Sequence, residues 1–255
     1  MSIWLNTRNT TRYITTQLNS NNNRKKGGRS VALFIIFAPT NHCQNMGGLF
    51  GVVSKEKCIT DLFYGVDYHS HLGTKRGGLA VINSDGMLKR SIHSLKQSYF
   101  RVKFEQDLPK FDGHMGIGVI SDSEAQPIAV HSHLGRYAIC TVMKISNIDS
   151  LAQDVLSEGK IFTELSDGST NATELLAQLI NHGDSFAQGI RYAQSKIEGT
   201  MSLIILTKDS IIAAKIRKRA GNWITVTLCP STRSARLHGN HSEARKTARM
   251  DNISI

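Results

Sequence analysis

Three things are scarce in this sequence. Cysteine is the first: Cys43, Cys58, Cys140 and Cys229 are the only four, and no two are spaced as CxxC. That excludes zinc-knuckle and dithiol redox motifs and suits a reducing, cytoplasmic setting. Long apolar stretches are the second. The one marked run, Val31-Ala32-Leu33-Phe34-Ile35-Ile36-Phe37-Ala38, is about half the length a membrane-spanning helix needs. It follows Arg24-Lys25-Lys26 and Arg29 in the order of a secretory signal, but it starts only at Val31, after a polar stretch, too late for one. Acidic residues near the ends are the third. Residues 1–45 carry six Lys/Arg and no Asp/Glu, and residues 215–255 carry nine against two. The formal charge of +11 therefore sits in the flanks, and the middle is slightly acidic. Charge so placed describes two basic tails rather than a groove shaped for nucleic acid.

At 255 residues the chain can bury a substantial core. Residues 1–45 are rich in Asn and Thr and show neither helical nor strand period, so a disordered basic extension is expected there, with Met46 an alternative start. From Leu49 the pattern becomes regular. A short apolar strand is expected at 49–53 and a helix at 59–68, where Leu62, Phe63 and Val66 recur at helical spacing. Gly77-Gly78 leads into a strand at 79–82, followed by the turn Ser84-Asp85-Gly86. Further strands are expected at 115–120, 127–130 and 136–143, helices at 174–181 and 185–196, and a closing hairpin at 201–207 and 210–214. Strands, then helices, then a hairpin describe an α+β layered domain over 46–214. Beyond Ala214 the composition turns abruptly to Arg, Ser, Asn and His, an atypical basic tail of the kind that truncation or a shifted reading frame would produce.

Several segments carry a resemblance in correct order. Met46-Gly47-Gly48-Leu49-Phe50-Gly51 resembles the opening of glutaminases with an N-terminal nucleophile, where Cys-Gly-(aliphatic)-Phe-Gly follows the initiator Met. Tyr64-Gly65, His71-Leu72-Gly73, Gly78-Leu79-Ala80-Val81, Gly113-His114-Met115-Gly116-Ile117-Gly118 and Ala125-Gln126-Pro127 continue the match. Ser166-Asp167, Thr173-Glu174-Leu175-Leu176 and Gly199-Thr200-Met201-Ser202-Leu203 complete it. Together they resemble the N-terminal class II glutamine amidotransferase domain of amidophosphoribosyltransferase, an enzyme of purine biosynthesis. The resemblance implies the four-layer α-β-β-α sandwich of Ntn hydrolases, with irregular basic tails at both ends. It implies no cofactor, and as partner a phosphoribosyltransferase domain or subunit in a homo-oligomeric assembly. No counterpart of that phosphoribosyltransferase half is found in the sequence.

The departures fall where the chemistry would be. Gly47 stands at the nucleophile's position, and the residues in front of it leave no free α-amine without processing. The oxyanion-hole amide aligns near Val142 and Met143, which lack its side-chain donor. Val119-Ile120-Ser121-Asp122 replaces the segment holding the arginine that grips the substrate carboxylate. Of the glutamine-binding positions Gly48, His71 and Asp167 remain; Asp167 would be a vestigial contact to the substrate amine or, equally, a helix cap. The resemblance thus implies a glutaminase-type domain with no catalytic residue. A basic nucleic-acid-binding protein acting through its tails, or a non-functional fragment, is the alternative. His69-Ser70-His71-Leu72-Gly73 recurs as His131-Ser132-His133-Leu134-Gly135, and two alternating His pairs could bind metal. One copy falls at a helix end and the other before a strand, so the repeat is read as chance and no metal site is expected. Cys58 and Cys140 read as buried apolar residues.

Overall fold

The computed structural model describes residues 47–68, 70, 75–163, 165–166 and 168–217, with the side chains of 165–166 and 216–217 excepted, and the backbone of three short flanking strands. Two antiparallel sheets face each other between helical layers. The first sheet runs β1-β2-β3-β6-β4-β5 across its width: β1 is Thr16–Gln17, β2 Val31–Phe37, β3 Gly47–Ser54, β4 Arg76–Ile82, β5 Leu88–Ser94 and β6 Met115–Ser121. The second runs β13-β12-β11-β8-β7: β7 is Ile128–Ser132, β8 Gly135–Ile145, β11 Gly199–Thr207, β12 Ser210–Arg217 and β13 Thr227–Pro230. A two-residue pair, β9 (Leu165–Ser166) with β10 (Ser169–Thr170), precedes the helices of the second half.

Alternation along the strands explains the layering. In β3, Leu49 and Val53 point toward the second sheet, whereas Phe50 and Val52 point outward to α1 (Ile59–Tyr68). In β8, Ala138 and Cys140 face the first sheet, and Tyr137 and Ile139 face the opposite helices. Three apolar layers result among the described residues. One lies between the sheets. One lies under α1 and α2 (Phe100–Phe104), and one under α3 (Ile148–Ser157), α4 (Ala172–Ile180) and α5 (Phe186–Lys196). This is the expected α-β-β-α sandwich. Gly116 and Gly118 of β6 let α1 settle directly on the sheet: a Cβ there would stand 2.7 Å from Leu62 Cδ2 and 2.3 Å from Val66 Cγ2.

The structure adds to the expected elements. β5, α2 and α3 had no counterpart in the expected list. α3 carries a helical apolar stripe of Leu151, Ala152 and Val155, so its omission was a missed period rather than an override. Val31–Phe37, inside the stretch expected to be structureless, pairs antiparallel with β3 from Val31↔Ser54 to Phe37↔Gly48. Past the boundary expected at 214, β12 continues because its ladder with β11 extends to Thr200↔Arg217.

Candidate functional site

The head of β3 is where the resemblance places chemistry. Gly47 is buried there and pairs with Ser121 of β6, which pairs in turn with Arg76 of β4, so the three stand in one row across the sheet. Gly47 shares a face with Leu49 and Val53, toward the second sheet. A Cβ built on it would lie 2.9 Å from the backbone oxygen of Ile120 and 2.9 Å from Cγ2 of Val142. Both are closer than a real Cβ approaches, so the surroundings already occupy the space a side chain would need. Val142 reaches this point because β8 alternates: it lies on the inter-sheet face, and its neighbour Met143 packs with the helical layer of the second sheet. Of the two residues aligned at the oxyanion position, the fold brings Val142 to Gly47 and takes Met143 away. Gly48 is buried, paired with Ile120 on one side and Phe37 on the other. His71 and Asp167 lie outside the described residues, as do His69, Leu72 and Gly73.

Beside this row the chain crosses from β6 to β7 through residues 122–127, and the crossing is tied down by polar contacts that sequence reasoning did not single out. Ser121 Oγ accepts from the backbone N–H of Ser123 and Glu124, each at 3.2 Å. Glu124 is buried and meets the N-terminus of α4. Its carboxylate accepts from Ala172 N at 2.6 Å, from Thr173 N at 3.1 Å and from the Thr173 hydroxyl at 2.5 Å. Thr173 Oγ1 is also 2.6 Å from Thr141 Oγ1, and Thr141 N donates to Gln126 Oε1 at 2.6 Å. The positive end of α4 is therefore filled by a protein carboxylate. The cap itself is Asn171, whose side chain accepts from Thr173 N and Glu174 N. Thr173-Glu174 was the visible part of this network. Glu124, 48 residues away from Ala172, left no local signal.

Both described cysteines are buried. Cys140 shares the inter-sheet face with Val142 but is fully buried, and burial pushes its thiol well up. Burial likewise pushes Cys58 up to about 12, against a partly offsetting backbone hydrogen bond, so neither thiol ionises near neutrality. Ser91, His93 and Asp107 form a cluster of triad composition at the opposite border. Ser91 Oγ donates to Asp107 Oδ2, and His93 Nε2 lies 2.6 Å from that same oxygen and 3.2 Å from Ser91 Oγ. A catalytic triad needs the carboxylate on one ring nitrogen and the hydroxyl on the other. Here both meet Nε2, and the cluster, with Lys110 bonded to Asp107 Oδ1, fastens the 3-10 segment Glu105–Lys110 to β5. Among the described residues no group of three His, Cys, Asp or Glu side chains stands close enough to hold a metal. His133 Nε2 is 2.9 Å from the carbonyl of Gly183, which it bonds as donor. No described helix is long and apolar enough to cross a membrane.

Comparison with known proteins bears on the same region. No protein-family model matches the chain. An amidophosphoribosyltransferase of Methanocaldococcus jannaschii is 30% identical over 182 residues, covering 67% of this chain and 37% of that protein. A glutamine–fructose-6-phosphate aminotransferase of Idiomarina loihiensis is 26% identical over 174 residues, 63% of this chain and 27% of that protein. Among solved structures, the glutamine phosphoribosylpyrophosphate amidotransferase from B. subtilis complexed with ADP and GMP superposes with a TM-score of 0.58 at 22% identity, covering 67% of this chain and 37% of that one. The fold is thus that of the Ntn-hydrolase amidotransferases. The chain spans about a third of the length of the curated relatives it matches.

Proposed function

We propose that this chain, whose described domain is of the amidophosphoribosyltransferase glutamine amidotransferase type, keeps that domain as a scaffold that does not hydrolyse glutamine. The observation that carries the reading is Gly47. In the related chemistry a cysteine at this place is the first residue of its chain; its thiol attacks the amide and its own α-amine is the base. In this sequence the place holds a glycine joined to Met46, packed so that a Cβ would press to 2.9 Å on the Ile120 oxygen and on Val142. Losing the nucleophile of a covalent mechanism costs on the order of 10⁶ in rate. Losing one oxyanion donor costs about 3–4 kcal/mol more, and Val142 offers no side-chain donor. The two buried thiols are no substitute.

The role this leaves is structural or regulatory. The domain would dock on, or cover, a phosphoribosyltransferase domain or subunit of purine synthesis that works on free ammonia, within a homo-oligomer. In support, the relatives carry the matched region as about a third of a longer chain. The test is ammonia release from glutamine by the purified full chain. The expected result is a rate no higher than the uncatalysed one. Turnover that a single substitution abolishes defeats the proposal.

The basic flanks favour a second reading, nucleic-acid binding through residues 1–45 and 215–255. Its signature is affinity that falls steeply with salt and disappears when the flanks are neutralised. A salt-independent or absent interaction removes it.

A further inference from the structure

Each sheet has two borders, and they are finished differently. β5 closes one border of the first sheet and carries exposed Lys89 and Arg90. β7 closes one border of the second with five residues that directly follow Pro127. Charge, brevity and proline are the usual means by which a sheet refuses a further strand. β3 and β12 lack them where they are needed. β3 runs Gly47-Gly48-Leu49-Phe50-Gly51-Val52-Val53-Ser54, without charge or proline. β12 reads Ser210-Ile211-Ile212-Ala213-Ala214 before its first charge, Lys215.

These unguarded strands are the ones that receive the flanking segments. β2 pairs with β3 from Gly48 to Ser54. β13 pairs with β12 only from Ser210 to Ala213, and so stops short of the charged half of that strand. The two borders also lie on the same side of the sandwich. A Cβ on Gly51 of β3 would stand 2.5 Å from Ile204 Cδ1 of β11 and 3.6 Å from Ile211 Cγ2 of β12. β13, outermost on the second sheet, has four residues and ends on Pro230; on the first sheet β1 pairs with β2 at Ala32 and Leu33 only.

We propose that Val31–Phe37 and Thr227–Pro230 are edge-sealing strands, which occupy in cis a strand-accepting border of the sandwich that would otherwise pair with a second copy of this chain. The unsealed border presents a row of backbone donors and acceptors on an uncharged, proline-free apolar stretch, the arrangement that recruits another strand. Two such borders related by a two-fold axis match each other antiparallel, so a second copy is the natural partner. The connection of 38–46 keeps β2 close to its acceptor strand, and an intramolecular strand held on so short a tether outcompetes one from solution.

Amide exchange by NMR on the full chain tests this without a substitution. In an antiparallel ladder, successive amides of a strand point to opposite neighbours. With β2 in place, all amides from Leu49 to Val53 exchange slowly; fast exchange in every second one overturns the proposal. Protection that vanishes on dilution, together with a falling mass by light scattering, means that the strand comes from a second copy, and overturns the sealing in cis. The double variant Phe34→Pro/Ile35→Pro removes one amide facing β3 whichever way the strand is turned. It should accelerate alternate β3 amides by about tenfold or more while those facing β6 stay slow, and the apparent mass should at least double as concentration rises. A variant with parental exchange, or one with an opened border that keeps the parental mass, defeats the inference.

Discussion

At position 47 the absence of a side chain shapes the packing and, on the function proposed above, the chemistry. Inserting the nucleophile's residue type by Gly47→Cys places a Cβ 2.9 Å from a backbone oxygen and from Val142. Overpacking of this kind costs about 1–3 kcal/mol, read as a lower urea midpoint at unchanged slope. Adding Val142→Ala should recover only part of the loss, because the Ile120 oxygen is backbone and stays. Neither variant is expected to release ammonia from glutamine. A Gly47→Cys protein as stable as the parent would show that the position has room. Asp107 gives a second prediction at this scale. Burial alone pushes its carboxyl up, but hydrogen bonds from Lys110, Ser91 and His93 outweigh burial and hold it well below the usual carboxylate range. A depressed folded value contributes stability that is present above the unfolded value of about 4. It is lost as pH falls through the folded value. Thermal midpoints followed from pH 7 downward should therefore drop in the acid limb for the parent and drop less for Asp107→Asn, which starts lower at pH 7. An unchanged acid slope in the variant would refute this. The vacancy at Gly47 was legible in the sequence, because it sits inside a linear motif. The cluster around Asp107 was not, since Ser91 and His93 share a strand face while their acceptor arrives from a separate helical segment.

At the scale of an element, α4 shows how a helix start is chosen among competing signals. Asp167, Asn171 and Thr173-Glu174 all carry side chains that could satisfy the first backbone amides. The structure gives the cap to Asn171 and reinforces it with Glu124 from the crossing between the sheets. Asn171→Ala should cost about 1 kcal/mol and Asn171→Asp far less, since the carboxylate keeps the acceptor; denaturant midpoints of the two variants check this. Equal losses would mean that Glu124 alone caps the helix. α1, α4, α5 and most of the strands could be read from their periods. β5, α2 and α3 were missed. In β5 the apolar alternation is broken by Lys89, Arg90 and His93, as suits a border strand half exposed to water.

Among the described residues three apolar layers hold the domain, and the middle one joins the two sheets. Ile204 of β11 projects into the gap left by Gly51 of β3, where a Cβ would approach its Cδ1 to 2.5 Å. Ile204→Ala should destabilise the protein by about 2–5 kcal/mol. Gly51→Ala should be tolerated better in an Ile204→Val background than alone, with a coupling of about 0.5–3 kcal/mol in a double-mutant cycle. Strict additivity would mean that the sheets are not in register at this point. No local pattern reveals this fit, because its partners are separated by most of the domain.

The amino-acid sequence by itself determined the periods of α1, α4, α5 and most of the strands, and the glycine where the resemblance places the nucleophile, because each is carried by neighbours along the chain; the order of the layers came only as what the family resemblance implies. Only the tertiary structure decided that Val142 rather than Met143 meets Gly47, that Glu124 fills the end of α4, and that the flanks pair with the sheet borders. Each of those depends on which residues the folding of two sheets brings face to face, and a linear chain has no means of stating that distance.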